Sequence, residues 1–191
     1  MEKFKECLFY LKNYIFVAIF IFSLGFLFGF NWAQIFPEET ELILKRTKEV
    51  LEPIIKMSSI SQFFFIFLKN SLTLFFGLVL GIIFGIYPFL VLFSNGTILG
   101  ILAFSSSQNF SWLKFLLGIL PHGIIEIPVL ILAGAIGLKL GKIAFDRIFK
   151  NIKGLEKEIS LALEFFWKIL LPLLVISAAI EVFITTKLLG I

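Results

Sequence analysis

Cysteine, histidine and charge are all scarce in this sequence of 191 residues. A single cysteine, Cys7, excludes an intramolecular disulfide and any thiolate metal cluster, and it carries no information about redox compartment. A single histidine, His122, excludes the helical two-histidine motif of zinc peptidases, and one histidine with isolated glutamates is a weak basis for a metal centre. Charged residues make up 16% of the chain against 59% hydrophobic, with a mean hydropathy of +1.03. A soluble domain needs enough polar residues to cover its surface, so this balance excludes an aqueous fold. The net charge of +4 does not indicate a nucleic-acid partner, because the basic residues sit beside apolar segments and form no continuous patch. They read as topology signals and contacts to anionic lipid.

What the chain has in abundance is apolar runs of bilayer length. These predict an all-α polytopic membrane protein forming one integral membrane domain, 1–191, with about five transmembrane helices at 14–33, 63–86, 88–104, 112–140 and 163–189. The first run is longer than a signal-peptide core and lacks a small-residue cleavage site after it, so it reads as a span. Between the first two runs, segment 37–57 carries nine charged residues, with Ile43, Val50, Ile54 and Met57 at helical spacing. That pattern predicts an amphipathic helix lying on the membrane or docked on the bundle, kinked or broken at Pro53. Tyr87-Pro88 reads as a tight connection, Ser105 to Ser111 as a short polar turn and Lys139 to Glu158 as a charged connector. The stretch 112–140 would exceed the bilayer core if straight, at about 43 Å against roughly 30 Å. A helix kinked or broken at Pro121-Gly123 is therefore expected, with a re-entrant pair as the alternative.

Five spans place the basic N-terminal tail (Lys3, Lys5, Lys12) on the same side as Lys139, Lys142, Arg147, Lys150, Lys153 and Lys157. The opposite side carries the charge-balanced amphipathic segment and Lys114. The positive-inside rule then gives a cell-membrane protein with a cytoplasmic N-terminus and an external C-terminus.

Two sets of residues stand out inside the spans. Glycines recur at four-residue spacing, as Gly25 and Gly29; Gly77, Gly81 and Gly85; Gly96 and Gly100; and Gly137 and Gly141. In lipid such spacing lets helix backbones approach closely, within one chain or across a homodimer face on the Gly77 helix. The second set is polar and sits at membrane depth: Asn70, Asn95, His122, Glu126 and Glu181. His122 and Glu126 share a helix face if the segment stays helical past Gly123. They could pair with each other and with Asn95 as interhelical glue. Glu181 has no basic neighbour within a turn and only Thr185 as a local hydrogen-bond partner, so it needs a partner elsewhere or a proton to donate to Asn70 or Asn95. Lys69 is long enough to snorkel outward, whereas Asn70 is not. Mutual satisfaction at membrane depth predicts that the five converge on one buried cluster. No nucleophile-and-base motif accompanies them, since Ser94-Asn95-Gly96 is not a nucleophile elbow, and neither catalytic residues, a metal site nor a cofactor is expected.

The strings Ser94-Asn95-Gly96-Thr97-Ile98-Leu99-Gly100, Pro121-His122-Gly123-Ile124-Ile125-Glu126-Ile127-Pro128 and Ala178-Ala179-Ile180-Glu181-Val182-Phe183-Ile184-Thr185 together resemble the stage II sporulation protein M family. The resemblance covers most of the chain from about Asn70 onward, with the first span and the amphipathic segment matching in layout. It implies a non-enzymatic membrane component of the engulfment machinery of endospore formers, working with two cell-wall hydrolases; relatives also occur in bacteria and archaea that do not sporulate. Two functions follow as expectations. One is a scaffold that binds other membrane or envelope proteins, and the other is a transporter or channel for a small solute or ion.

Overall fold

The computed structural model of the protein describes residues 2–109, 112–151 and 154–189, and the side chains of Lys3, Lys5, Cys7, Lys114 and Lys153 lie outside that description. Almost every described residue is helical and none is in a strand. The elements are α1 (Glu2–Ile35), α2 (Pro37–Ile55), α3 (Ser59–Val79), α4 (Ile86–Asn109), α5 (Trp112–Lys150), α6 (Leu155–Phe165), α7 (Leu171–Ile180) and α8 (Thr186–Leu189). A 3₁₀ turn, Leu80–Ile82, extends α3, and two π turns, Phe166–Leu170 and Glu181–Thr185, join α6, α7 and α8 into one rod. Five segments are long and apolar enough to cross a bilayer: Leu11–Ile35, Ser59–Ile82, Ile86–Gln108, Phe115–Lys150 and Leu155–Leu188. The chain is a multi-pass membrane protein.

Several boundaries differ from those expected. The reversal between α3 and α4 is made by Phe84 and Gly85, both at positive φ, while Tyr87 and Pro88 lie in the first turn of α4. A proline without an N–H costs nothing in a first turn, where that donor has no helical acceptor. Ser105 to Gln108 continue α4 and are not a turn, because Ser105 and Ser107 donate their hydroxyls to Ile101 O and Phe104 O of the same helix. The charged segment from Lys139 is mostly helix as well. Asp146 pairs with both Lys142 and Lys150 at i±4, and basic residues in the last turn suit the negative end of the helix dipole.

Pro121 and Pro128 both lie inside α5, which is unbroken over 39 residues, about 58 Å. Of the kinked and broken alternatives only a kink is compatible with this helix, and Pro121-Gly123 is not the apex of a re-entrant pair. Each proline deletes one backbone hydrogen bond, a loss that packing against neighbouring helices makes tolerable in a membrane. In α2, Pro53 likewise sits inside the helix, which ends two residues later. Thr40 is the only fully buried residue of α2, so the helix is not docked on the bundle along its length.

The bundle is organised around α5, which touches α1, α3, α4 and the α6–α8 rod. Its interior mixes large side chains such as Leu78, Leu92, Leu140, Phe166 and Leu170 with alanines such as Ala18, Ala33, Ala133, Ala135 and Ala178, while many other large side chains face outward. Large apolar side chains facing outward suit lipid, and the small residues allow the close backbone approach that drives association there. The closest approach is between α1 and α4: a methyl group at Gly25 or Gly29 would overlap Phe93 O or Thr97 O, and one at Gly96 or Gly100 would overlap Phe22 O or Phe26 O. At the other end, Gly81 packs on Gly137 and Gly85 on Gly141 of α5. These glycines serve packing within the chain.

Candidate functional site

The polar residues at membrane depth come together where α5 faces the α6–α8 rod. Because α5 stays helical through Gly123, His122 and Glu126 lie one turn apart on the same face. Opposite them, Ser177, Glu181 and Thr185 form a stripe at four-residue spacing on the last rod. Ser177 Oγ, fully buried, donates to the backbone carbonyl of His122 at 3.3 Å. His122 Nδ1 and Thr185 Oγ1 are 3.4 Å apart. One ligand atom from each of His122, Glu126 and Glu181 lies within 4.8 Å of the others.

The local backbone helps to place these groups. Glu181 opens the π turn Glu181–Thr185, in which the Thr186 N–H reaches Glu181 O, and the Thr185 hydroxyl back-bonds to Ile180 O at 3.4 Å. The extra residue in a π turn shifts the side chains that follow around the helix axis, and such turns are frequent at functional sites. If the single Thr185 proton serves Ile180 O, Thr185 Oγ1 accepts from Nδ1–H of His122. The imidazole then keeps its Nε2 lone pair for another partner.

The carboxylates contrast with the rest of the chain's paired acids. At the far end of α5, Glu158 pairs with Lys139 at 2.7 Å, Glu156 with Arg147, and Asp146 with two lysines. Among the described residues no basic group forms a salt bridge with Glu126 or Glu181, and no hydrogen bond satisfies either. Lys69 lies on α3, which packs against both α5 and the Glu181–Thr185 turn, and makes no ion pair with either carboxylate. Two carboxylates this close cannot both be ionised cheaply in a dry bundle without a cation or a shared proton.

The structure therefore joins three of the five residues expected to converge, from two long helical rods. Asn95 donates to Val91 O of its own helix at 2.7 Å, and Asn70 is half-buried on α3 beside Lys69. Among the described residues no hydrogen bond links either asparagine to the other three. An asparagine that back-bonds to its own helix needs no interhelical partner, so the economy that predicted five-way convergence does not apply to Asn95. Thr185 meets His122 and not Glu181. Ser177 was not singled out by the sequence reading, although its position one turn before Glu181 was the available signal.

The model of the family described as stage II sporulation protein M matches residues 18–186. An uncharacterised protein of Methanocaldococcus jannaschii is 33% identical over 187 residues, covering 93% of this chain and 97% of that protein. No solved structure matches the chain.

Proposed function

Since the chain belongs to the stage II sporulation protein M family, we propose that it is a non-enzymatic membrane protein that binds a small inorganic cation within the bundle and passes it across the membrane. The observation that carries this reading is the convergence of His122, Glu126 and Glu181 at membrane depth, with both carboxylates lacking a salt bridge among the described residues. A purely structural polar contact would leave its members mutually satisfied, whereas these groups leave anionic capacity unused. His122 is ten residues into α5 and Glu181 is eight residues before the end of α8, depths of about 15 Å and 12 Å.

Purified protein in liposomes, assayed for cation uptake, tests the reading. Uptake above protein-free vesicles that falls at least tenfold in Glu126→Gln and in Glu181→Gln is expected. Uptake that is unchanged in both variants, or absent from the native protein, refutes it.

A second reading, a scaffold for other membrane or envelope proteins, is favoured by α2. This largely exposed charged helix forms an open cleft with the end of α4, lined by Glu38, Glu41, Leu44, Lys45, Lys48 and Ser105. Recovery of a defined envelope partner that is lost on deletion of 37–57, together with absence of uptake, would favour the scaffold.

A further inference from the structure

We propose that the intramembrane cluster is a divalent transition-metal site, with His122, Glu126 and Glu181 as ligands and at least one coordination position open to water or cargo exchange. This inference rests on the cation reading above and names the class of cation.

The donor set narrows the ion. Two carboxylates supply two negative charges, so a divalent ion makes the site electrically neutral, the state that membrane burial favours. Calcium takes six to eight oxygen ligands and magnesium keeps a near-octahedral shell of oxygens, whereas an imidazole nitrogen suits zinc, iron, cobalt and nickel. One nitrogen and two oxygens with free positions is a set compatible with that group. The three donor atoms lie within 4.8 Å of one another, whereas donors about 2.0–2.2 Å from one tetrahedral ion are about 3.3–3.6 Å apart, so binding would draw them together.

Two further observations bear on the site independently of the ligand count. Neither carboxylate has a salt bridge or hydrogen bond among the described residues, although acids elsewhere on α5 and α6 are paired. The imidazole is met from outside the set of three by Thr185 at Nδ1, while Ser177 ties the His122 backbone carbonyl to the rod. An outer hydrogen bond that fixes the tautomer and ring direction is the usual companion of a metal-bound histidine. Lys69 sits on α3, which packs against both α5 and the Glu181–Thr185 turn, and its positive charge would compete with a bound cation.

The test uses the full chain in detergent, stripped with a chelator and titrated with Co²⁺, with zinc added in competition. Native protein should bind one Co²⁺ per chain with visible absorption bands, and Zn²⁺ should displace it while Mg²⁺ at a hundredfold excess should not. Glu126→Gln and Glu181→Gln should each weaken binding at least tenfold. Lys69→Met should strengthen it severalfold, an effect that a damaged fold would not produce, so the proposal is testable even if a glutamate variant unfolds. Absence of Co²⁺ binding to native protein at millimolar concentration overturns the proposal, as does binding indifferent to both glutamates and to Lys69. The two readings fail separately: Co²⁺ binding without any cation uptake refutes transport and keeps the site, whereas uptake of a monovalent cation without Co²⁺ binding keeps transport and refutes the metal.

Discussion

Substituting alanine for glycine at two positions separates the packing role of these residues from their effect on helix propensity. At Gly29 a methyl group would overlap the Thr97 carbonyl of α4. Carbon and oxygen approach to about 3.3–3.6 Å at closest, so α1 and α4 would have to part by roughly 1 Å. A radial gap of 0.5–1 Å forfeits about a quarter to a half of each dispersion contact along that seam, and overpacking of this kind costs about 1–3 kcal/mol. At Gly77, by contrast, an added methyl meets nothing within 4 Å. Alanine is the better helix former by about 1 kcal/mol, so Gly77→Ala should be neutral or stabilising. Because the chemical change is the same, the unfolded-chain entropy of the two variants cancels to first order, and the contrast of about 2 kcal/mol reports packing alone. Unfolding from mild detergent by added dodecyl sulfate, followed by tryptophan fluorescence, measures it. Equal destabilisation of the two variants, or a neutral Gly29→Ala, would refute the close-approach account of the α1–α4 seam.

Topology reporters fused after Gln34, Ser106, Lys150 and Ile191 should read external, external, cytoplasmic and external, and a cytoplasmic signal at Ile191 would contradict five spans. Spin labels along 37–55 should show accessibility repeating at about 3.6 residues when the protein is in bilayers, as expected of a surface helix; a flat profile would count against it. The partly buried Lys139–Glu158 bridge, 2.7 Å long, ties α5 to α6. Glu158→Gln should cost about 0.5–1 kcal/mol, and less in high salt, in the same unfolding assay. A loss that does not change with salt would mean that packing, and not charge, joins the two helices.

The architecture was largely legible because bilayer-length apolar runs leave few alternatives to helices that span. Boundaries were less so. A polar residue at a span end reads as loop by composition, yet Ser105 and Ser107 stay helical by donating to their own helix, and Lys142, Asp146 and Lys150 do so by pairing along it. Each device satisfies a polar side chain locally, and local satisfaction leaves no trace in hydropathy. Asn95 belongs to the same class, which is why it does not join the cluster by a hydrogen bond. The spacing of His122 and Glu126 was readable as one helix face, and the lack of a local partner for Glu181 predicted that it would meet them; the way it is presented was not readable, since the π turn and the order of helices around α5 are tertiary facts.

The arrangement around His122 also explains why the last rod contains a π turn where it does. Ser177 fixes the rod to the carbonyl of His122, and Thr185 must reach the imidazole of the same residue. In an ideal α-helix residues eight apart are separated by about 12 Å along the axis and by about 80° around it, so both could not address one residue with Glu181 between them. Inserting one residue per turn at Glu181–Thr185 changes that rotation over the segment where Thr185 lies. The π turn, the buried serine and the threonine are thus one device for presenting Glu181 to His122 and Glu126. Its consequence is testable: deleting Ile184 removes the extra residue and leaves seven positions from Ser177 to the threonine, a rotation of about 700° that ends within about 20° of the serine's own direction, so the regular helix should keep the threonine at the imidazole and preserve cluster function. Ser177→Ala, which removes one membrane hydrogen bond of about 0.6 kcal/mol, should only weaken it. A deletion variant that folds but has lost both uptake and metal binding would refute this account of the π turn as a register device.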